Sequence, residues 1–212
     1  MEEGEGKKKF LQAVEFATDA HKNQKRKNKQ QDPYISHPLE VAKLIEDTYK
    51  ATGSKFDYDV LAAAVLHDVV EDTGVCIQQI AMLFGNNVAG IVAQVTDNKS
   101  LSKVERKKLQ RLRSCYMSIE ACLIKMADKW SNCKDLKEDP PIGWTKNQVE
   151  YYFYWSYAIC KTMLDSKNDT KNLCLRYMWV SKVQEVFVSF GVDPKLLSSK
   201  LIEYYDSLAN QH

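Results

Sequence analysis

The chain has 212 residues, 44% of them hydrophobic, which suits one compact domain with a real core and leaves little room for two. Its 30 basic residues stand against 28 acidic ones for a formal charge of +2, so no global field marks a nucleic-acid or membrane binder, and any anion site must be local. Six cysteines (Cys76, Cys115, Cys122, Cys133, Cys160, Cys174) without a CxxC pair argue against a zinc-thiolate site and a disulfide framework, and fit a reduced, cytoplasmic setting.

Eight glycines, five prolines and few alternating runs leave a spacing near 3.6 along most of the chain, which predicts an all-α, single-domain helical bundle. Residues 1–6 read as a flexible tail, and with no apolar stretch before residue 9 neither a signal peptide nor a membrane anchor is expected to begin there. A first helix is expected over 7–23. A basic polar loop then leads to Ser36, placed to cap a helix over 37–49 with Pro38 in its first turn. Next come a helix over 58–72 and shorter ones over 75–84 and 87–96, joined by a Gly85-Asn86 break. Longer helices are expected over 102–113, 118–136, 145–165, 170–190 and 194–208, with capping boxes at Ser102/Glu105 and Thr145/Gln148. No linker is rich enough to divide the chain into separate domains, DSKNDT (165–170) being the one segment suited to setting a C-terminal appendage apart from the main bundle. We divide the chain into a main domain over 7–192 and a C-terminal extension over 193–212, whose amphipathic LLSSKLIEYYDSL suits either capping the bundle or pairing two copies as a homodimer.

The helix over 58–72 carries the chemistry. The longest purely apolar run, Val60 to Leu66, covers seven residues where a membrane span needs about 20. Four ionisable residues follow it directly: His67, Asp68, Glu71 and Asp72. On helical spacing His67 stacks over Glu71, and Asp68 over both Glu71 and Asp72, so all four share one broad face. Three acids beside one histidine repel each other, and a divalent cation is the simplest device that lets them coexist. The plainer alternative is a satisfied core histidine with Glu71 and Asp72 in water at the helix end. Two further sources of ligands weigh against it: His37 at a helix start in DPYISHPLEVAKLI, and Asp128 after an apolar helical stretch in LIKMADKWSNCKDL, with Asn132 one turn later on the same face. His37, His67, Asp68 and Asp128 form a mixed nitrogen and oxygen set suited to Mn²⁺, Fe²⁺ or Zn²⁺, with Mn²⁺ the first choice.

In five blocks the chain resembles the ppGpp hydrolase domain of the RelA/SpoT class, an HD-type phosphohydrolase, and most closely its small stand-alone metazoan SpoT homologues. The blocks are AHKNQKRK (20–27), PYISHPLEVA (33–42), AAVLHDVVEDT (63–73), VTDNKS (95–100) and IKMADKWSN (124–132), in the expected order. The resemblance runs from Phe10 to about Val192. It implies that His37, His67, Asp68 and Asp128 hold the metal, and that Glu71 and Asp72 orient and deprotonate the attacking water. It implies substrate contacts from the basic pair Arg26 and Lys27, from Lys99 near the phosphates, from Asn132, and from the aromatic residues Trp144 and Tyr152. Gln148 stands where those homologues carry an arginine, and glutamine offers phosphate no charged fork. Asn98 replaces an acid.

The implied reaction removes the 3′-pyrophosphate of ppGpp or pppGpp to give GDP or GTP. Because no synthetase half fits after residue 212, degradation rather than synthesis is expected. The implied partner is a small nucleotide, with neither nucleic acid nor membrane. Two other functions stay open: a phosphatase acting on a 2′ or 3′ ribose phosphate such as that of NADPH, and a non-catalytic module that docks a nucleotide or a protein. The run YYFYWSY (151–157) reads as core packing with Tyr152 turned to the cleft. Lys125 is expected to serve behind the site or in the structure.

Overall fold

The computed structural model describes residues 3–166 and 172–210. Among these the secondary structure is helical, apart from one isolated antiparallel bridge between Lys25 and Pro33. Helix α3 (Tyr58–Leu66) is the axis of the core, and every residue from Asp59 to Leu66 is buried. The run VLAAAVL has no polar face to turn to water, so neighbours must surround it. They are α1 (Glu3–Ala20), α2 (Ser36–Thr52), α6 (Asn86–Val95) and α8 (Ile119–Glu138). Asp57 caps α3 by accepting from the Asp59 and Val60 amides. The buried Asp59 carboxylate takes Lys9 Nζ at 2.7 Å and Asn87 Nδ2 at 2.9 Å, which ties α1 and α6 to the axis and pairs a charge that burial would otherwise penalise.

The helix expected over 58–72 is broken. It stops at Leu66, turns through His67 and Asp68, and resumes as the single turn α4 (Val69–Asp72). Asp68 sits at φ −100°, ψ −8°, at the edge of the right-handed helical region, while the His67 ring lies 2.8 Å from the Ala64 carbonyl through Nδ1. Polar side chains bonding to nearby backbone or other elements compete with the helical ladder at this point. The turn interrupts the continuous helix that the sequence predicts through these four residues, while the Asp72 amide still bonds the Asp68 carbonyl one turn back.

Helix α1 begins at Glu3, where the sequence predicts a flexible tail to residue 6. Glu3 and Glu5 complement the positive end of the helix, and Gly6 is buried against the Tyr58 ring. A Cβ at Gly6 would lie 2.7 Å from Tyr58 Cδ2 and 3.0 Å from Cβ and Cγ. Alanine gains about 1 kcal/mol of helix propensity at most, less near a fraying end, whereas overpacking costs about 1–3 kcal/mol. Gly6→Ala is therefore expected to lower the thermal midpoint by about 2–4 °C; a midpoint that rises would show that the ring yields freely.

Ser36 is not the cap of α2. It lies inside the helix and its hydroxyl donates to the Pro33 carbonyl at 2.8 Å. Helix α5 (Ile77–Phe84) starts two residues after the expected 75, because Val75 N–H bonds the Thr73 hydroxyl instead. Gly85, at φ +91°, makes the corner into α6. Helices α7 (Lys103–Arg113) and α9 (Lys146–Ser166) start where their capping boxes predict.

The helix predicted over 170–190 consists of α10 (Leu173–Met178), a π-helical turn (Trp179–Val183) and α11 (Gln184–Phe190). Thr170 and most of the DSKNDT segment lie outside the described residues. The wide turn aims Trp179 at Tyr157 and Phe187, with ring centroids 5.8 and 6.1 Å away. After a 3₁₀ turn (Pro194–Leu196), α12 (Leu197–Ala209) lays Leu201, Tyr204 and Leu208 into the core beside α9 and α7. No helix among the described residues is long and apolar enough to cross a membrane.

Candidate metal centre and substrate cleft

Three elements deliver the donor atoms. The first turn of α2 brings His37, the break after α3 brings His67 and Asp68, and the middle of α8 brings Asp128. His37 Nε2 lies 3.3 Å from Asp128 Oδ1 and 3.8 Å from Asp68 Oδ2, and His67 Nε2 lies 3.1 Å from Asp68 Oδ2 and 3.9 Å from Asp128 Oδ1. One ligand atom from each of His37, His67 and Asp128 falls within 4.8 Å of the others, and all three residues are buried. The far nitrogen of each ring is anchored. His67 Nδ1 faces the Ala64 carbonyl, and His37 Nδ1 lies 2.9 Å from Ser131 Oγ, which donates to Glu40, itself paired with Lys134. Such partners fix ring orientation and leave Nε2 for the centre.

Lys129 and Asn132 hold Asp128 in place. Lys129 Nζ is 3.1 Å from Oδ2, and Asn132 Nδ2 donates to Oδ1 at 2.5 Å. Burial would raise the Asp128 carboxyl, but the Lys129 ammonium and the bond with His37 outweigh it and hold it well below the ordinary carboxylate range. Asp68 is likewise lowered, against burial, by His67 and His37. Burial pulls the His67 imidazole down, yet the Asp68 and Asp128 charges lift it to about 9. The centre thus favours positive charge.

The paired acids take different partners after the turn. Glu71 Oε2 accepts from the Asp97 amide at 3.1 Å, and burial together with the Asp97 charge raises the Glu71 carboxyl above its ordinary value. Asp72 pairs with Lys99 through Oδ1 and takes the Tyr34 hydroxyl at 3.3 Å through Oδ2. Lys99 is thereby placed on an acid.

Beside Asp72 opens a cleft of about 280 Å³, lined among others by Arg26, Lys27, Tyr34, Asn132, Trp144 and Tyr152. Five residues expected at the substrate thus share one cavity. Trp144 and Tyr152 meet edge-on with centroids 6.0 Å apart, while Phe153, Tyr154 and Trp155 pack into the core as the aromatic run predicts. Arg26 reaches Asp135 Oδ2 at 2.5 Å and Asn132 Oδ1 at 3.3 Å, and lies 5.8 Å from the Tyr34 ring centroid. Gln148 is elsewhere. Its Oε1 accepts from the Thr145 amide at 2.7 Å and its own amide donates back to Thr145 Oγ1, so the residue completes the α9 cap and is not among the cleft-lining residues.

Sequence reasoning missed Tyr34, Lys129, Asp135 and Lys107. Lys107 Nζ stands 3.8 Å from the Trp155 ring centroid, and burial with the Lys129 charge beside it pulls its amine down to about 7. A lysine inside an apolar run was the available signal for Lys129, as an acid was for Asp128. Lys125, the other buried lysine of α8, donates to the Val95 carbonyl at 3.0 Å.

The HD-domain family profile matches residues 13–150. That span holds all four donors and both acids. The chain belongs to the HD-domain family. It is 44% identical over 152 residues to the guanosine-3′,5′-bis(diphosphate) 3′-pyrophosphohydrolase MESH1 of Xenopus tropicalis, covering 72% of this chain and 83% of that one. The enzyme of the same name from Drosophila melanogaster is 39% identical over 185 residues, or 87% of this chain and 96% of that one. A solved structure of a metazoan ortholog of SpoT, described as hydrolysing ppGpp and playing a role in starvation responses, is 37% identical. It superposes with a TM-score of 0.74 over 86% of this chain and 96% of that one.

The HD-domain residues fit a divalent cation on the chemistry of the site. His67 Nε2 is buried with no hydrogen-bond partner, facing two carboxylate oxygens. Bonds of about 2.0–2.2 Å bring neighbouring ligand atoms a little over 3 Å apart, close to the spacing of the donors. Two imidazoles and two carboxylates suit Mn²⁺, Fe²⁺ or Zn²⁺ rather than a thiolate-selective ion.

Proposed function

We propose that this HD-domain chain is a Mn²⁺-dependent hydrolase that removes the 3′-pyrophosphate of ppGpp or pppGpp, giving GDP or GTP and pyrophosphate. One observation carries the reading: the four candidate donors cluster and are linked through Tyr34 to Asp72, which lines a cleft whose walls offer a basic pair, an amide and aromatic faces. The relatives named for this reaction cover most of the chain's length. The free cysteines agree with a reducing cytoplasm as its setting.

In this reading His37, His67, Asp68 and Asp128 hold the ion, which supplies Lewis acidity to the phosphoryl oxygens and to water. Glu71 takes the proton from the attacking water, since its raised carboxyl is closer to the working pH and only its Oε2 is engaged among the described residues. The water oxygen bonds to phosphorus, the bond to the ribose 3′-oxygen breaks, and that oxygen leaves to be protonated. Asp72, held between Lys99 and Tyr34, orients the water. Arg26 and Lys27 meet phosphate charge, and Arg26 must exchange Asp135 for it. Trp144 and Tyr152 give the base a stacking face.

Purified chain with Mn²⁺ is offered ppGpp, NADPH and a cyclic dinucleotide, and released pyrophosphate and phosphate are measured. Pyrophosphate from ppGpp is expected. Phosphate from NADPH alone would move the substrate to a ribose 2′-phosphate, and no product from any of the three would leave a non-catalytic module.

A further inference from the structure

Tyr34 belongs to neither the donor set nor the acid pair, yet it touches both. Its Oη lies 2.6 Å from Asp68 Oδ2 and 3.3 Å from Asp72 Oδ2. One hydroxyl proton therefore serves two carboxylates that stand one helical turn apart. Asp68 Oδ2 is the oxygen turned to the Nε2 atoms of His67 and His37, while Asp72 faces the cleft.

The surroundings hold this hydroxyl in place. The Tyr34 ring stacks at a tilt on buried His21, 4.8 Å between centroids, and meets His37 edge-on at 6.1 Å. Tyr34 N–H donates to the Gln24 carbonyl at 3.1 Å, and Gln24 Nε2 donates to the Asp72 carbonyl at 2.6 Å. His21 Nδ1 in turn lies 2.7 Å from Gln24 Oε1. The segment from His21 to Tyr34 thus grips Asp72 twice, at its backbone through Gln24 and at its carboxylate through Tyr34.

We propose that Tyr34 is a positioning residue of the hydrolytic centre, its shared proton fixing the ligand carboxylate of Asp68 against the acid Asp72. Two carboxylates this close repel, and a donor between them sets their spacing. Ligating carboxylates are commonly held by such outer hydrogen bonds, and losing one costs about 10–100-fold in metal affinity or activity. The kinetic part of the proposal rests on the function proposed above; the metal-binding part does not.

Tyr34→Phe keeps the ring, the stacking and the cleft wall and removes only the hydroxyl. Metal-free protein is titrated with Mn²⁺ by calorimetry, its melting is followed with and without the ion, and steady-state constants are measured on ppGpp. The variant is expected to bind Mn²⁺ about 10-fold more weakly and to lose about 10–100-fold in kcat, with KM within about twofold of wild type. Its metal-free midpoint should stay within about 3 °C. Mn²⁺ affinity within about twofold of wild type overturns the proposal whatever turnover does. So does a raised KM at unchanged kcat, which would make Tyr34 a cleft wall, or a metal-free midpoint lowered by more than about 5 °C, which would make it structural. If wild type hydrolyses nothing, the proposed function fails while the Mn²⁺ titration still decides Tyr34.

Discussion

Asp68→Ala is expected to abolish Mn²⁺ binding at micromolar metal and, with it, hydrolysis. Asp68 supplies the carboxylate oxygen 3.1 Å from His67 Nε2 and 3.8 Å from His37 Nε2, so its loss leaves two imidazoles and one carboxylate around the centre. An outer partner of a ligand is worth about 10–100-fold, so a direct ligand should cost more than about 100-fold in affinity and in kcat. The fold should survive, because the Asp68 side chain points to the centre and its carbonyl still accepts from the Asp72 amide at 2.8 Å. Calorimetry with Mn²⁺ beside a thermal melt of the metal-free chain separates the two effects. Equal metal occupancy in wild type and variant would remove Asp68 from the ligand set.

The sequence already pointed to Asp68 and the three other candidate donors because apolar runs interrupted by His or Asp are costly unless something pairs the charge. The same logic made α3 legible, since VLAAAVL admits no solvent face, and the capping boxes at Ser102 and Thr145 marked the starts of α7 and α9. The break at His67 was not legible. A helical period runs straight through His67 and Asp68, and the contacts made at the break, the nearby Ala64 carbonyl for His67, the Asp97 amide for Glu71 and the Tyr34 hydroxyl for Asp68 and Asp72, are not written in that period. Gln148 shows the opposite error. Alignment by resemblance set it at the phosphates, while its own spacing from Thr145 already described a helix cap. Tyr34 and Lys129 were passed over because each stands beside a more conspicuous ligand, His37 or Asp128, and neighbours in sequence are easily read as filler.

Glu71→Gln is expected to keep the metal and lose the rate. Glutamine has nearly the same shape and its Oε1 can still accept from the Asp97 amide, so the loop after α6 stays docked. What disappears is the ability to take a proton, worth about 10²–10⁴-fold in kcat for a general base, with KM little changed. The pH profile makes the assignment specific. Burial and the Asp97 charge raise the Glu71 carboxyl above its ordinary value, so wild-type kcat/KM should fall with decreasing pH earlier than an ordinary glutamate would allow, and Glu71→Gln should lack that acid limb. Stability shifts the other way. A carboxylate whose folded pKa is raised destabilises the fold at pH values above that pKa, so replacing it with neutral glutamine should leave the midpoint unchanged or lift it slightly at neutral pH and have no effect in acid. Full turnover with an intact acid limb in Glu71→Gln would move the base to Asp72, whose two oxygens would then have to release Lys99 or Tyr34 to accept the proton.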